Sequence, residues 1–210
     1  MATRKFLQPL SKPNSLGRTM TFSLPRGLPK HGGCCPNAGK CLAYCYGKKG
    51  RFVFKNVTEC HKRNLAAAKK AGGSMLFLKI DSEIRRMRKP LRCLRIHSVG
   101  DFWSQDYLDL WVWLAEMNPT VLFYCYTTSI DLDWEAFDAL DNTNRVVSLG
   151  ARGGRLQLIQ YADEHGIATC EVWPKHMGPV TPQLNEKDGS HDDAVAATAK
   201  AGDRIIIKEH

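Results

Sequence analysis

The sequence predicts an α/β protein: a mostly parallel, six-stranded β/α arrangement, wound as a partial TIM-like barrel or as an open doubly wound sheet. Three observations predict it. From Pro90 onward, strand-like runs alternate with segments of helical period, the pattern of repeated β/α units with right-handed crossovers. The run 120–127 (TVLFYCYT) is apolar almost throughout, as in a strand covered on both faces. Glycine, proline or asparagine separates the segments, as at Asn118-Pro119 and Gly166.

Taken in order, residues 1–18 are rich in Pro, Ser, Lys and Arg without periodicity, and read as an N-terminal arm. Residues 19–210 read as a single β/α domain. Its first strand is 19–24 (TMTFSL), stopped by Pro25. A cysteine loop follows, spanning 34–50. Asn56 is a helix N-cap candidate with Glu59 three residues on, a capping-box spacing. The helix it starts runs to Ala71, and Gly72-Gly73 stops it. A second helix, 74–88, places Phe77, Ile80, Ile84 and Met87 on one side. Strand 91–97 (LRCLRIH) precedes the loop Ser98-Val99-Gly100-Asp101. Helix 105–117 carries Leu108, Trp111 and Ala115 inward. After strand 120–127, Asp133 caps a short helix bearing Trp134, Phe137 and Leu140. Then come strand 145–149, helix 155–165 ended by Gly166, strand 167–172, helix 192–201 and strand 203–208. In such folds, ligands sit at the carboxyl ends of the strands. That rim receives the cysteine loop, then His97, Ser98, Gly100 and Asp101, then Tyr126, Thr127 and Thr128, then Gly150 and Arg152, and finally Cys170, Glu171 and Trp173.

Four of the eight cysteines fall within positions 34–45, and Cys35, Cys41 and Cys45 are spaced C-x5-C-x3-C among small and turn-forming residues. Such a loop can turn three thiolates onto one point. Soft thiolate sets select zinc, copper(I) or iron–sulfur clusters. Zinc sites usually offer paired cysteines with a fourth ligand close by. Three cysteines with unequal gaps and no second pair favour a 4Fe-4S cluster. Zinc, and plain buried or disulfide-bonded cysteines, stand as the other readings. Cys34 competes with Cys35 for the first position. Cys60, Cys93 and Cys125 read as small buried hydrophobes. Cys170, at the end of the fifth strand, is the cysteine outside the loop best placed to give a fourth ligand.

The chain has 210 residues, 43% hydrophobic and 24% charged, which suits a globular fold with one sizeable core. No run approaches a membrane span, and no secretory signal is visible behind Met1-Ala2-Thr3-Arg4-Lys5. A cytoplasmic location, where thiols stay reduced, is expected. The net charge of +9 suits a polyanionic partner, and nucleic acid is the expected one. Lys48, Lys49, Arg51 and Lys55 follow the cysteine loop with Phe52 and Phe54 between them. Bases interleaved with aromatics fit a single-stranded nucleic acid path; a solvated loop pinned by two phenylalanines is the plainer alternative.

A cluster loop after the first strand, followed by repeated β/α units, resembles the radical S-adenosylmethionine enzymes, whose usual spacing is C-x3-C-x2-C. In the place of their Gly-Gly-Glu loop this chain has Ser98-Val99-Gly100-Asp101. More closely, TFSLP (21–25), CPNAGKCLAYCYGKKGRFVFKNV (35–57), RIHSVGDFWSQDYL (95–108) and FYCYTTS (123–129) resemble the phage gene product 88-like family. That resemblance implies a phage protein with an iron–sulfur cluster in a β/α fold, which would work in the host cytoplasm.

His97 and Asp101 are the catalytic candidates, as base, acid or ligand of a divalent metal; alternatively His97 is simply hydrogen-bonded to a neighbouring loop. His191, Asp192 and Asp193 read either as a hard-metal triplet or as a helix start favoured by the helix dipole. The expected function is therefore a 4Fe-4S protein acting on nucleic acid, as a nuclease with a structural or redox cluster. A radical S-adenosylmethionine-type enzyme, or a non-enzymatic redox or binding module, are the alternatives.

Overall fold

The structure is a computed structural model that describes residues 9–13, 19–150, 154–173, 186–188 and 193–208. Most of the expected arm, together with Arg152, His191 and Asp192, lies outside the described residues. Along the chain the elements are β1 (Thr19–Phe22), α1 (Cys41–Tyr44), α2 (Lys55–Lys69), α3 (Ser74–Arg85), β2 (Cys93–Ile96), α4 (Gln105–Glu116), β3 (Leu122–Thr127), α5 (Glu135–Asp138), β4 (Thr143–Ser148), α6 (Arg155–His165), β5 (Ala168–Trp173), β6 (Glu186–Asp188) and β7 (Arg204–Lys208).

All six expected strands form, and they pair in parallel. A seventh, β6, was not foreseen; it adds in parallel beyond β7. The order is β1-β2-β3-β4-β5-β7-β6. The sheet is open, with β1 and β6 at its edges, so no barrel is closed. From β1 to β5 the strands follow one another without reversal, which removes the doubly wound alternative, because that winding needs a switch point.

The register separates two faces. Leu94 pairs with Met20 and Phe123, and Ile96 with Phe22 and Cys125. These residues share a core with Phe77, Ile80, Leu108, Trp111 and Phe137 of α3, α4 and α5. Val147 and Leu149 meet Leu158 and Ala162 of α6. The helices α3 to α6 therefore cover one face. Apolar residues at three- and four-residue spacing make this possible, since each helix turns one stripe inward. Trp111 is fully buried against Phe22 and Phe77, with ring centroids 5.2 and 4.8 Å away in edge-on geometry. Burying each such side chain stabilises the fold by about 1.5–3 kcal/mol. Arg145 also lies on this face, 2% exposed. Its charge is compensated by two-pronged hydrogen bonds to Asp138 of 2.7 and 2.6 Å and by the Trp134 ring at 4.9 Å, the arrangement a buried guanidinium requires.

The opposite face carries Arg95, Tyr126, Ser148, Cys170 and Ile207, which line a cleft. Further along it, Tyr124, Val146, Ala168 and Ile205 pack on Ala196 and Ala197 of a 3-10 segment, Asp193–Thr198. A longer α-helix was expected there. The two carbonyls Ala196 O and Ala199 O instead accept from the Asn144 side chain at 2.8 and 2.9 Å, which fixes the tighter turn on the sheet.

Two cap expectations change. α2 begins at Lys55, so Asn56 sits inside the first turn; the cap position is Phe54, without a side-chain cap bond. Glu59 pairs with Lys62 at 2.9 Å instead of reaching back. Ser104 does cap α4, accepting from Tyr107 N at 3.4 Å, and Gly166 ends α6 in the left-handed conformation at φ 66°. At the other edge, Ser11 N donates to Thr21 O at 2.9 Å and Leu10 is buried, so residues 9–13 run beside β1. Among the described residues, no helix is long and apolar enough to cross a membrane.

Candidate functional site

The cysteine loop leaves β1 and folds back on itself. Gly33 N donates to Leu28 O at 3.1 Å, Cys34 N to Pro25 O at 3.1 Å and Cys35 N to Gly27 O at 2.9 Å. The turn is tight enough that a Cβ on Gly33 would lie 2.1 Å from Gly27 O, so only glycine fits. The two adjacent cysteines then sit in different surroundings. The Cys34 thiol is 2% exposed and donates to Pro25 O at 3.1 Å. Cys35 lines the cleft instead.

α1 carries the second thiol, and Cys45 follows its last residue. The Cys41 amide donates to Gly150 O at 3.1 Å, tying the loop to the end of β4. Tyr46 donates its hydroxyl to Ser98 O and accepts from Arg95 Nη2 at 2.9 Å, which ties the loop to β2 and the turn after it. Cys170 comes from β5, in register with Ser148 of β4 and Ile205 of β7. The result is one cleft of about 780 Å³, including its open mouth, lined by Cys35, Cys41, Cys45 and Cys170 together with Tyr44, Arg95 and Arg26.

Charge on these thiols is disfavoured by their surroundings. The neighbouring Cys34 thiol, by hydrogen bonding, and then burial push Cys35 far up. Burial raises Cys41 and Cys45, and each is raised further by the neighbouring Cys35. Burial pushes Cys170 up to about 12, with Arg95 opposing it. Burial likewise takes Tyr44 to about 12, helped by Cys41, Glu171 and Cys170. Arg26 and Lys48 work the other way on Cys45. Among the described residues, no group of three His, Cys, Asp or Glu side chains is gathered as a single metal ion would need.

His97 and Asp101 both line this cleft, and both are buried, 2% and 4% exposed. The His97 ring lies among Phe22, Phe102, Tyr107 and Trp111. Its Nε2 is 2.8 Å from Tyr107 Oη. Burial lowers its pKa to about 3, so the ring is neutral. Its backbone is left-handed, φ 60°, an uncommon state for a non-glycine residue. Asp101 accepts from Phe102 N at 2.9 Å, Thr127 Oγ1 at 2.7 Å, Thr128 N at 2.8 Å and the Thr128 hydroxyl. Desolvation raises its pKa against these four bonds. The carboxylate joins the loop after β2 to the end of β3.

Glu171 does not join the rim. Side chains alternate along a strand, so Glu171 faces away from Cys170 and pairs with Arg155 at 3.1 Å and Arg204 at 2.6 Å. Lys48, Lys49, Arg51 and Lys55 are all exposed on the stretch that follows the cleft loop. Phe52 between them packs edge-on against Tyr46 at 5.3 Å, and Phe54 is 57% exposed. Sequence reasoning missed Arg26 and Arg95. Arg95 carried a signal: a charge in the middle of LRCLRIH needs a polar neighbourhood on that face.

An open, parallel β/α sheet with helices on one face and a thiol-lined cleft on the other defines the class: a β/α protein whose site is built from a cysteine loop after the first strand. The chain belongs to the Gene product 88 family, whose family model matches residues 2–206. Over 120 residues it is 28% identical to the Gene 88 protein of Mycobacterium phage L5; the match covers 54% of this chain and 49% of that protein. The chain thus spans about half the length of the curated relative it matches. No solved structure matches it.

Proposed function

We propose that the protein carries a 4Fe-4S cluster on Cys35, Cys41, Cys45 and Cys170 and acts on nucleic acid. One observation carries the reading: thiols from the β1 loop and from β5, distant in sequence, line the same cleft. Their donor set suits the group. Thiolates bind iron–sulfur clusters at several spacings, and a cubane holds its ligands further apart than one ion does. Four thiols line this one cleft. When bound, such a cluster supplies one-electron chemistry or a structural tether. The chain's own residues do the rest. Arg26 and Arg95 offset the thiolate charge, and the Cys41–Gly150 and Tyr46–Ser98 bonds hold the loop in place. Unreversed winding from β1 to β5 supports reading the open sheet as a partial TIM-like barrel.

Lys48, Lys49, Arg51 and Lys55 supply the phosphate contacts beside the cleft. His97 and Asp101 shape its wall; the bonds that saturate Asp101 leave nucleic-acid binding better supported than hydrolysis by this pair. The test is anaerobic purification followed by iron and sulfide analysis, visible absorbance, and binding and cleavage assays with DNA and RNA. Iron and sulfide in equal amounts with salt-dependent binding support the reading. Stoichiometric zinc without sulfide refutes the cluster.

A second reading, a radical S-adenosylmethionine-type enzyme, is favoured by the extent of the cleft. It runs past the cysteines to Ser98, Gly100 and Ser148, leaving space beside a cluster. This reading requires one iron without a protein ligand, so Cys170 would stay free. Perturbation of the cluster's electron paramagnetic resonance by added S-adenosylmethionine distinguishes it.

A further inference from the structure

The positive charge of the protein is concentrated in one segment. Residues 26–63 contain nine Lys and Arg and a single acidic residue, Glu59, which places eight of the nine net positive charges there. This segment builds two grooves outside the cysteine cleft. The first, about 1100 Å³, is lined by Arg26, Leu28, His31, Leu42, Phe52 and Lys62, among others. The second, about 910 Å³, is lined by Arg51, Val57 and Asn64, among others. Phe52 and His61 line both, with ring centroids 6.2 Å apart, so this pair divides one groove from the other.

We propose that these two grooves bind single-stranded nucleic acid, with bases stacked at the Phe52–His61 pair and phosphates held by Arg26, Arg51 and Lys62. The inference rests on the nucleic-acid part of the function proposed above and gives it a site. Three features carry it. The charge is complementary to a polyanion. An aromatic pair between two grooves offers stacking surface, which tolerates any base because each has a π-face. Asn64, 1% exposed, lines the second groove; its amide donates to Pro9 O and Ser23 O at 3.1 and 3.0 Å. Its Oδ1 has no hydrogen-bond partner among the described residues. A buried acceptor left without a donor is costly, so the floor of this groove is a place where a small shift of Asn64 on binding gains a hydrogen bond. Burial keeps His61 neutral by lowering its pKa, so it serves as a ring beside Phe52 while the arginines and Lys62 carry the charge. Lys62 pairs with Glu59 across an exposed contact, an interaction weak enough for a phosphate to replace. Bases must be unstacked to enter such grooves, which selects single strands over duplex. Arg26 and Val99 line both the first groove and the cysteine cleft, so the bound strand lies next to the proposed cluster.

The test is fluorescence anisotropy of a labelled deoxythymidine oligonucleotide, its uridine counterpart and a duplex of equal length, over a salt series. Iron is measured on the same anaerobic samples. Single strands are expected to bind more tightly than duplex. Phe52→Ala is expected to weaken binding about 5- to 100-fold with the salt slope kept, and Phe52→Trp to restore it. Lys62→Gln is expected to reduce the slope by about 0.7. The deoxythymidine and uridine arms decide which sugar the site prefers. If Lys48→Gln and Lys49→Gln weaken binding while Phe52→Ala does not, the grooves are not the site, although the nucleic-acid reading stands. If no oligonucleotide binds at low salt, both fail. Preference for duplex, or equal competition by polyglutamate, overturns the proposal in favour of a plain charged surface or an acidic protein partner. Retained binding by protein that lacks iron and sulfide leaves this inference standing and removes the cluster.

Discussion

The backbone amide of Cys41 donates a 3.1 Å hydrogen bond to the carbonyl of Gly150. The second cysteine of the loop is thereby docked on the end of β4, more than a hundred residues further along the chain. A Cβ at Gly150 would lie 2.7 Å from Cys41 Cβ and 3.3 Å from its Cα. The closest contact is a Cβ fixed to the α1 backbone, which cannot move aside by itself as the Tyr44 hydroxyl at 3.0 Å could. Gly150→Ala should therefore displace α1, cost about 1–3 kcal/mol of stability and, if the proposed cluster is present, lower the iron bound per chain. Urea unfolding and iron analysis read the two effects separately.

Cys170→Ala tests whether the proposed cluster is closed. With Cys170 as a ligand, the variant should lose iron or change its charge-transfer spectrum, and its thermal midpoint should fall, because metal binding and folding are linked. An unchanged spectrum and midpoint, together with a wild-type cluster signal that responds to S-adenosylmethionine, would move the radical-enzyme reading to first place.

His97 should make the protein sensitive to acid. Its folded pKa, about 3, lies below the ordinary value near 6.5. The stability from the neutral ring is thus fully present above about pH 6.5 and is lost as the pH falls toward 3. The loss should approach about 1.4 kcal/mol per pH unit inside that window. Of the rings around it, only Tyr107 ionises, and burial pushes that group well up. His97→Asn keeps a residue that tolerates the left-handed backbone and removes the titration. Unfolding midpoints of the two proteins across the pH window should converge on the acid side.

Asp101→Ala should destabilise the fold by about 2–4 kcal/mol, since it leaves two backbone amides and two hydroxyls buried without their acceptor. Asp101→Asn should cost less. A variant that unfolds at the wild-type urea concentration yet loses a measured activity would instead assign Asp101 to catalysis.

Much of the sheet was legible because its strands are apolar and its breaks are glycine or proline. β6 was not: Glu186-Lys187-Asp188 has no strand character, and the neighbouring β7 gives it its conformation. Asn56 and Glu59 had the spacing of a capping box, but spacing does not fix where a helix starts; the turn at Phe54 does. The cleft was legible in outline, since Cys35 and Cys170 both belong to the rim in any parallel β/α winding. Glu171 could have been excluded from sequence by strand alternation alone. What remained hidden was the choice between Cys34 and Cys35 for the cleft. It depends on the backbone bonds to Pro25 and Gly27, for which no spacing rule exists. Arg26 was hidden likewise, because its neighbours Gly47 and Val99 meet it only in three dimensions.

The strand order has a consequence for synthesis on the ribosome. β7 lies between β5 and β6, although it follows both in the sequence. β1 to β5 can pair as they emerge, each on the one before. β5 must then keep a bare edge, and β6 has no described strand to pair with, until residues 204–208 leave the exit tunnel. During that interval the nascent chain exposes unpaired backbone, the surface on which strands of different chains join. Translation through the last of these strands, more than any earlier step, completes the sheet.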